Sequence, residues 1–253
     1  MSVMTPQAES IPDTVRRLAA HQKSAAGAPA YSRFVNRPLG RWFAATAYHL
    51  GMTPDQVTLV SALTTFSGIC VLALAPSAVL TGLLAGVLFI LGYALDSADG
   101  QLARLRGGGS LAGEWLDHVC DAFKSTAVHI GALIGLFRAE VPTVWLLVPL
   151  AYAVVDSLGF FVFVATDLMR RTQGPAAAKP ASSTSVVRSL LTIPTDYGFL
   201  AVTFLLFGLP QLFIIAYAVM LLGNVGYLVL GLPRWYGGLR ALNLRWNDPR
   251  TAG

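Results

Sequence analysis

Charge is scarce in this chain. Asp, Glu, Lys and Arg make up 12% of its 253 residues, about half the share usual in soluble domains, which argues against a hydrated globular enzyme. Cysteine is nearly missing: Cys70 and Cys120 are the only two, and both fall in apolar runs, so neither a disulfide framework nor a thiolate metal site is expected. No repeat of 20 to 50 residues is visible, and no basic run is interleaved with aromatics, which sets aside repeat architectures and nucleic-acid partners. The opening residues also lack the basic-then-apolar order of a secretory signal.

What the chain has instead is apolar length. It is 55% hydrophobic, with mean hydropathy +0.60, and a hydrocarbon core of about 30 Å takes about 20 apolar residues to cross as a helix. Six stretches qualify, at approximately 57–75, 79–98, 111–137, 141–167, 189–208 and 211–231. They are continuously apolar and lack the alternation of a membrane barrel, so the expected fold is an all-α integral membrane protein of six transmembrane helices. Residues 1–30 read as a mobile tail and 31–50 as an interfacial amphipathic helix kinked at Pro38. Residues 51–235 read as the six-helix catalytic domain, and 236–253 as an interfacial or cytoplasmic tail.

Of the 18 Lys and Arg, sixteen lie before the first span, after the last, or in the loops between spans two and three and between four and five. The positive-inside rule makes that side cytoplasmic, both ends of the chain included, in a multi-pass protein of the cell membrane.

Against this background four carboxylates stand out. Asp96 and Asp99 are three residues apart near the end of span two, and Asp117 and Asp121 are four apart near the start of span three, so each pair shares a helix face. An intramembrane charge costs about 3 kcal/mol even on lenient scales, and four of one sign repel each other. Divalent cations remove both penalties. With carboxylate oxygens only and no His or Cys at ligand spacing, the expected ions are Mg²⁺, Mn²⁺ or Ca²⁺ in place of Zn²⁺, with two Mg²⁺ ions favoured in a cell and Mn²⁺ as an alternative. Gly100, Ala103 and Gly113 lack bulk where a substrate must approach, and Arg104 with the run Gly107–Gly108–Gly109–Ser110 offers a guanidinium and backbone N–H groups to phosphate. Lys124, one turn beyond Asp121, and Arg188 before span five are candidates for contacts to an acceptor or a phosphate. The bland readings assign Lys124 to an ion pair with an aspartate, Asp156 to a hydrogen bond with a neighbouring helix, and His118 and His129 to satisfied helix positions.

The eight positions Asp96, Asp99, Gly100, Ala103, Arg104, Gly113, Asp117 and Asp121 resemble the signature of the CDP-alcohol phosphatidyltransferase family. The resemblance implies that Asp96, Asp99 and Asp117 ligate metal, and that Asp121 is the catalytic proton acceptor and a ligand of the second ion. It also implies that Gly100, Ala103, Arg104, Ser110 and the stretch Asp55–Gln56–Val57–Thr58 contact a CDP-linked donor. The activity implied is transfer of a phosphatidyl group from CDP-diacylglycerol to the hydroxyl of an alcohol, with release of CMP, in phospholipid biosynthesis by a homodimer. Two other classes are compatible with buried acids on membrane helices: a cation-coupled transporter, and an intramembrane prenyltransferase, though the two DDxxD-like boxes of the latter are missing here. The motif does not specify the acceptor.

Overall fold

The computed structural model describes residues 9–20, 29–172 and 195–246, which are helical almost throughout and hold no strand. Eight α-helices follow in chain order: α1 (Ile11–Ala20), α2 (Arg37–His49), α3 (Pro54–Leu74), α4 (Val79–Leu105), α5 (Leu111–Arg138), α6 (Leu147–Arg171), α7 (Tyr197–Thr203) and α8 (Pro210–Trp246).

Five of the spans expected from hydropathy are met by helices long and apolar enough to cross a membrane: α3, α4, α5, α6 with its leading 3₁₀ turn, and α8 over Pro210–Leu242. The sixth differs. Around it the described residues hold only an apolar helix over Tyr197–Leu206, roughly 15 Å long and half the hydrocarbon thickness; residues 173–194, including Arg188, lie outside the described residues.

Helix boundaries follow local chemistry. Thr53 and Gln56 form a reciprocal capping box at the start of α3, with Pro54 in its first turn, and Ser110 caps α5 by accepting from the Gly113 N–H at 2.9 Å. The link between α4 and α5 needs glycine at Gly107 (φ +95) and Gly108 (φ +136), conformations that a Cβ opposes. Their N–H groups bond back to Arg104 O and Ala103 O at 3.2 and 2.9 Å, so they cap α4 and are not free for a phosphate as the sequence suggested.

The stretch 31–49 is helical as expected, without a break at Pro38. The turn before it, Ser32–Asn36, is a π-helical turn leading straight into α2, and that wider winding relieves the clash a proline ring makes with the preceding turn. Ile11–Ala20, inside the expected mobile tail, is a helix. It docks on α2 by burying Thr14 and Leu18, with Thr14 Oγ1 3.0 Å from His49 Nε2 and the Arg17 guanidinium 5.5 Å from the Tyr48 ring centre. At the other end α8 runs unbroken through Pro233 to Trp246, so the last span and part of the expected tail are one rod.

The core divides in two. Away from the aspartates it is aromatic, with Phe89, Phe204, Phe213 and Tyr217 packed at centroid separations of 4.9 to 5.7 Å, edge-to-face or tilted except for the stacked Phe213–Tyr217 pair. Around the aspartates it is built of small residues, among them Ala44, Ala45 and Ala98, which let α2, α3 and α4 approach closely. Ser61 Oγ donates to Gly92 O across α3 and α4 at 2.9 Å, and a Cβ at Gly92 would fall 2.2 Å from Thr65 Oγ1 and 3.3 Å from Thr65 N. Gly92→Ala is therefore expected to destabilise the protein by about 1–3 kcal/mol. Thermal unfolding in detergent reads this as a lowered Tm, and an unchanged Tm contradicts the close crossing.

Candidate metal and phosphate site

Asp96 and Asp99 project from the last turns of α4, and Asp117 from the second turn of α5. One oxygen from each lies within 4.8 Å of the others, close enough for one ion to touch all three. The donor set is hard oxygen alone, which fits Mg²⁺ or Mn²⁺ and not Zn²⁺. Asp99 is the most deeply set, 7% exposed. Its Oδ2 accepts from the Thr58 hydroxyl at 2.7 Å and its Oδ1 from the Gly100 N–H, so the carboxylate is oriented before any ion arrives.

Asp121 stands one turn further along α5, outside this triad. Lys124 Nζ lies 2.8 Å from Asp121 Oδ1 and also pairs with Asp96 Oδ1. Lys124 is itself 6% exposed, so the ammonium links two carboxylates of one sign that face a common space. The ion-pair reading of Lys124 is the one the structure supports.

A pocket of about 260 Å³ opens beside the triad, lined by Asp96, Asp99, Asp117 and Gly100 together with Arg37 and Arg104. Cations and carboxylates thus share one small space. A Cβ on Gly100 would meet nothing nearer than Arg104 Nη1 at 3.6 Å, so no protein atom requires glycine there, and the room it leaves belongs to the pocket. Burial pulls the Arg37 guanidinium below its usual range, and Arg33 pushes the same way. An anion seated beside Arg37 opposes both effects.

Arg37 was not singled out from the sequence. It arrives from α2, 59 residues before Asp96, and only the tight α2–α4 contact at Gly40, where a Cβ would lie 3.0 Å from Ser97, brings it to the site. The carboxylate of Asp196, 1% exposed, helps fix this placement. It caps α7 through the Gly198 N–H at 3.0 Å and accepts from the N–H groups of Tyr31 and Ser32 at 2.8 and 3.2 Å, so the turn leading into α2 is bonded to the start of α7.

The other expected donor contacts are placed unevenly. Thr58 turns to Asp99, Val57 is buried in the packing of α2, α3 and α4, and Gln56 is spent in the capping box. Asp55 points at the start of α5, where a Cβ on Gly113 would come within 2.8 Å of its Oδ1. Ser110 caps α5, and Ala103 is half-buried behind Arg104.

On the far side of Asp96 a larger cavity of about 410 Å³ is lined by Asp96, Asp121 and Lys124 and reaches Asp156, Asn224 and Trp235. His129 is a satisfied helix position: it pairs with the Tyr217 hydroxyl and, at 3.1 Å, with Asp156 Oδ2.

The model of the CDP-alcohol phosphatidyltransferase family matches residues 52–229. The chain belongs to this family. Among curated relatives, an archaetidylinositol phosphate synthase of Pyrococcus horikoshii is 36% identical over 108 residues, 42% of this chain and 54% of its own length. A phosphatidylinositol phosphate synthase of Corynebacterium glutamicum is 41% identical over 91 residues, 34% of this chain and 35% of its own. The matched segments thus span about half or less of those relatives. The phosphatidylinositol phosphate synthase of Mycobacterium tuberculosis, solved in complex with manganese and citrate, superposes with a TM-score of 0.51 at 16% identity, covering 83% of this chain and 90% of that one. At that identity the likeness is one of fold: a multi-pass helical membrane protein.

Proposed function

We propose that the protein transfers a phosphatidyl group from CDP-diacylglycerol to the hydroxyl of an alcohol and releases CMP. The observation that carries this reading is the 260 Å³ pocket in which Arg37 and Arg104 face Asp96, Asp99 and Asp117. A diphosphate bridge with a divalent ion complements both walls: phosphate oxygens meet the guanidiniums, and the carboxylates hold the ion. The metal, when bound, neutralises the charge that develops on the diphosphate.

The residues of the chain do the rest. Thr58 holds the Asp99 carboxylate in place, while Arg37 and Arg104 orient the diphosphate, with Asp55 and Ser110 at the rim of the nucleotide. The acceptor oxygen approaches from the 410 Å³ cavity. Asp121 takes its proton as the oxygen forms a bond to the β-phosphorus, and the bond between that phosphorus and the CMP oxygen breaks in line. We assign Asp121 as a ligand of a second ion as well. The active site lies at the cytoplasmic face of the cell membrane, as the cation distribution favours. A homodimer is the expected assembly, for which the exposed apolar side of α6, with Leu150, Val154, Leu158 and Phe161, is available. Cation coupling gives no reason for two arginines at the acids, and prenyl transfer calls for two DDxxD-like boxes, which the sequence does not contain.

The test is incubation of the purified protein with Mg²⁺, CDP-diacylglycerol and a panel of alcohols, following CMP and the lipid product by mass. No CMP with any acceptor overturns the reading. Arg37→Ala is expected to raise the donor KM by about 10- to 100-fold, the value of a charge-assisted phosphate contact, while kcat changes little. An unaltered donor KM removes Arg37 from the site.

A further inference from the structure

The larger cavity carries information about the acceptor that the signature does not. It begins at Asp96 and Asp121, and its far end is marked by Asp156 on α6 and Asn224 on α8. Asp156 pairs with His129, eight residues beyond Asp121 on α5, so the cavity extends about 12 Å along that helix from the proton acceptor. Its walls include aromatic rings, Tyr93, Phe160 and Trp235 among them.

Among the described residues the one Lys or Arg lining this space is Lys124, and it is engaged by Asp96 and Asp121 at the near end. At the far end the charged side chain facing the cavity is the Asp156 carboxylate. The groups turned toward it from the packed helices are His129 and the phenols of Tyr152 and Tyr217, with Asn224 Nδ2 donating to the Tyr152 hydroxyl at 2.8 Å. An alcohol that presents its reacting hydroxyl to Asp121 and extends along α5 into this cavity lays its other end against this acid. A phosphate laid there meets a like charge and, among the described residues lining that end, no guanidinium or ammonium, whereas a hydroxyl or an amine donates to it.

We propose that the acceptor is an alcohol without a phosphate, held between aromatic rings with hydrogen-bond donors on Asp156. Asp156 then selects by repulsion, rejecting phosphate esters of the alcohols that fit. The inference rests on the phosphatidyl-transfer reading for its chemistry, and it sets this chain apart from relatives whose names specify an inositol phosphate product.

The experiment compares pairs of acceptors with the full-length protein in Mg²⁺ and CDP-diacylglycerol: myo-inositol against inositol 1-phosphate, and glycerol against glycerol 3-phosphate. CMP release at least tenfold faster with the free alcohol is the expected result. Preference for the ester overturns the inference while leaving phosphatidyl transfer standing. Asp156→Asn is expected to narrow the ratio at least tenfold, with a thermal transition like that of the unsubstituted protein; an unchanged ratio removes Asp156 from acceptor choice. If no acceptor releases CMP, the transfer reading fails and occupancy decides alone. Ser125 lines the same cavity, so maleimide labelling of S125C, located by mass spectrometry, should be slowed by the free alcohols and not by their phosphates. Slowing by the esters, or by neither, overturns the proposal.

Discussion

Asp99→Asn should cut turnover by about a thousandfold or more and abolish the response to Mg²⁺, while leaving the metal-free protein as stable as before or more so. The two halves of this result have separate causes. Asparagine keeps an oxygen for the Thr58 hydroxyl, now 2.7 Å from Asp99 Oδ2, and gives up only the bond that Oδ1 accepts from the Gly100 N–H, so local packing survives. What it removes is one of three negative charges whose oxygens lie within 4.8 Å of each other, and without an ion those charges oppose folding. An ion bound at a hundred times its Kd stabilises the native state by about 2.7 kcal/mol; unsubstituted protein should show that gain as a Mg²⁺-dependent rise in Tm, and the variant should not. Retention of the Mg²⁺-dependent rise would mean that the ion is held elsewhere.

Asp121→Asn should also be nearly inactive, with kcat lowered by about 100- to 10,000-fold, the usual worth of a general base. Its metal response should differ from that of Asp99→Asn. Asp121 is outside the triad, and Lys124 keeps Asp96 as a partner when Asp121 loses its charge, so most of the Mg²⁺-dependent gain in Tm should persist. The ion held by the triad is thereby separated from proton transfer, while the second ion, which we assign to Asp121, should be lost with its carboxylate. CMP release at a near-normal rate in Asp121→Asn would remove that residue from proton transfer and leave Lys124, or a water, to be tested in its place.

Much of this site was legible in the sequence because its parts repeat at helical spacing. Asp96 with Asp99 and Asp117 with Asp121 lie on contiguous apolar helices, where i, i+3 and i, i+4 neighbours share a face wherever the helix packs. The five long spans were legible for the same reason. What escaped depends on contacts between distant segments. No local pattern ties Arg37 to the aspartates, or Asp196 to the N–H groups of Tyr31 and Ser32, some 165 residues away. The helix Ile11–Ala20 was missed because its apolar stripe is only Ile11, Val15 and Leu18 amid polar residues, and it acquires its value by packing on α2. The run at Gly107 and Gly108 marks a link between two spans, but its N–H groups, expected to be open to phosphate, cap α4 instead, because their partners depend on how that helix ends.

The length of α8 has a further consequence. Its 37 residues make a rod of about 55 Å, against a hydrocarbon thickness of about 30 Å, and its inner surface carries Asn224, Tyr227, Leu228 and Trp235 along one wall of the larger cavity. A rod this long answers a thinner or thicker host bilayer by leaning more or less, which opens or narrows the space beneath it. Catalysis in vesicles should therefore follow the acyl-chain length of the surrounding lipid, making membrane thickness a physical input to the rate.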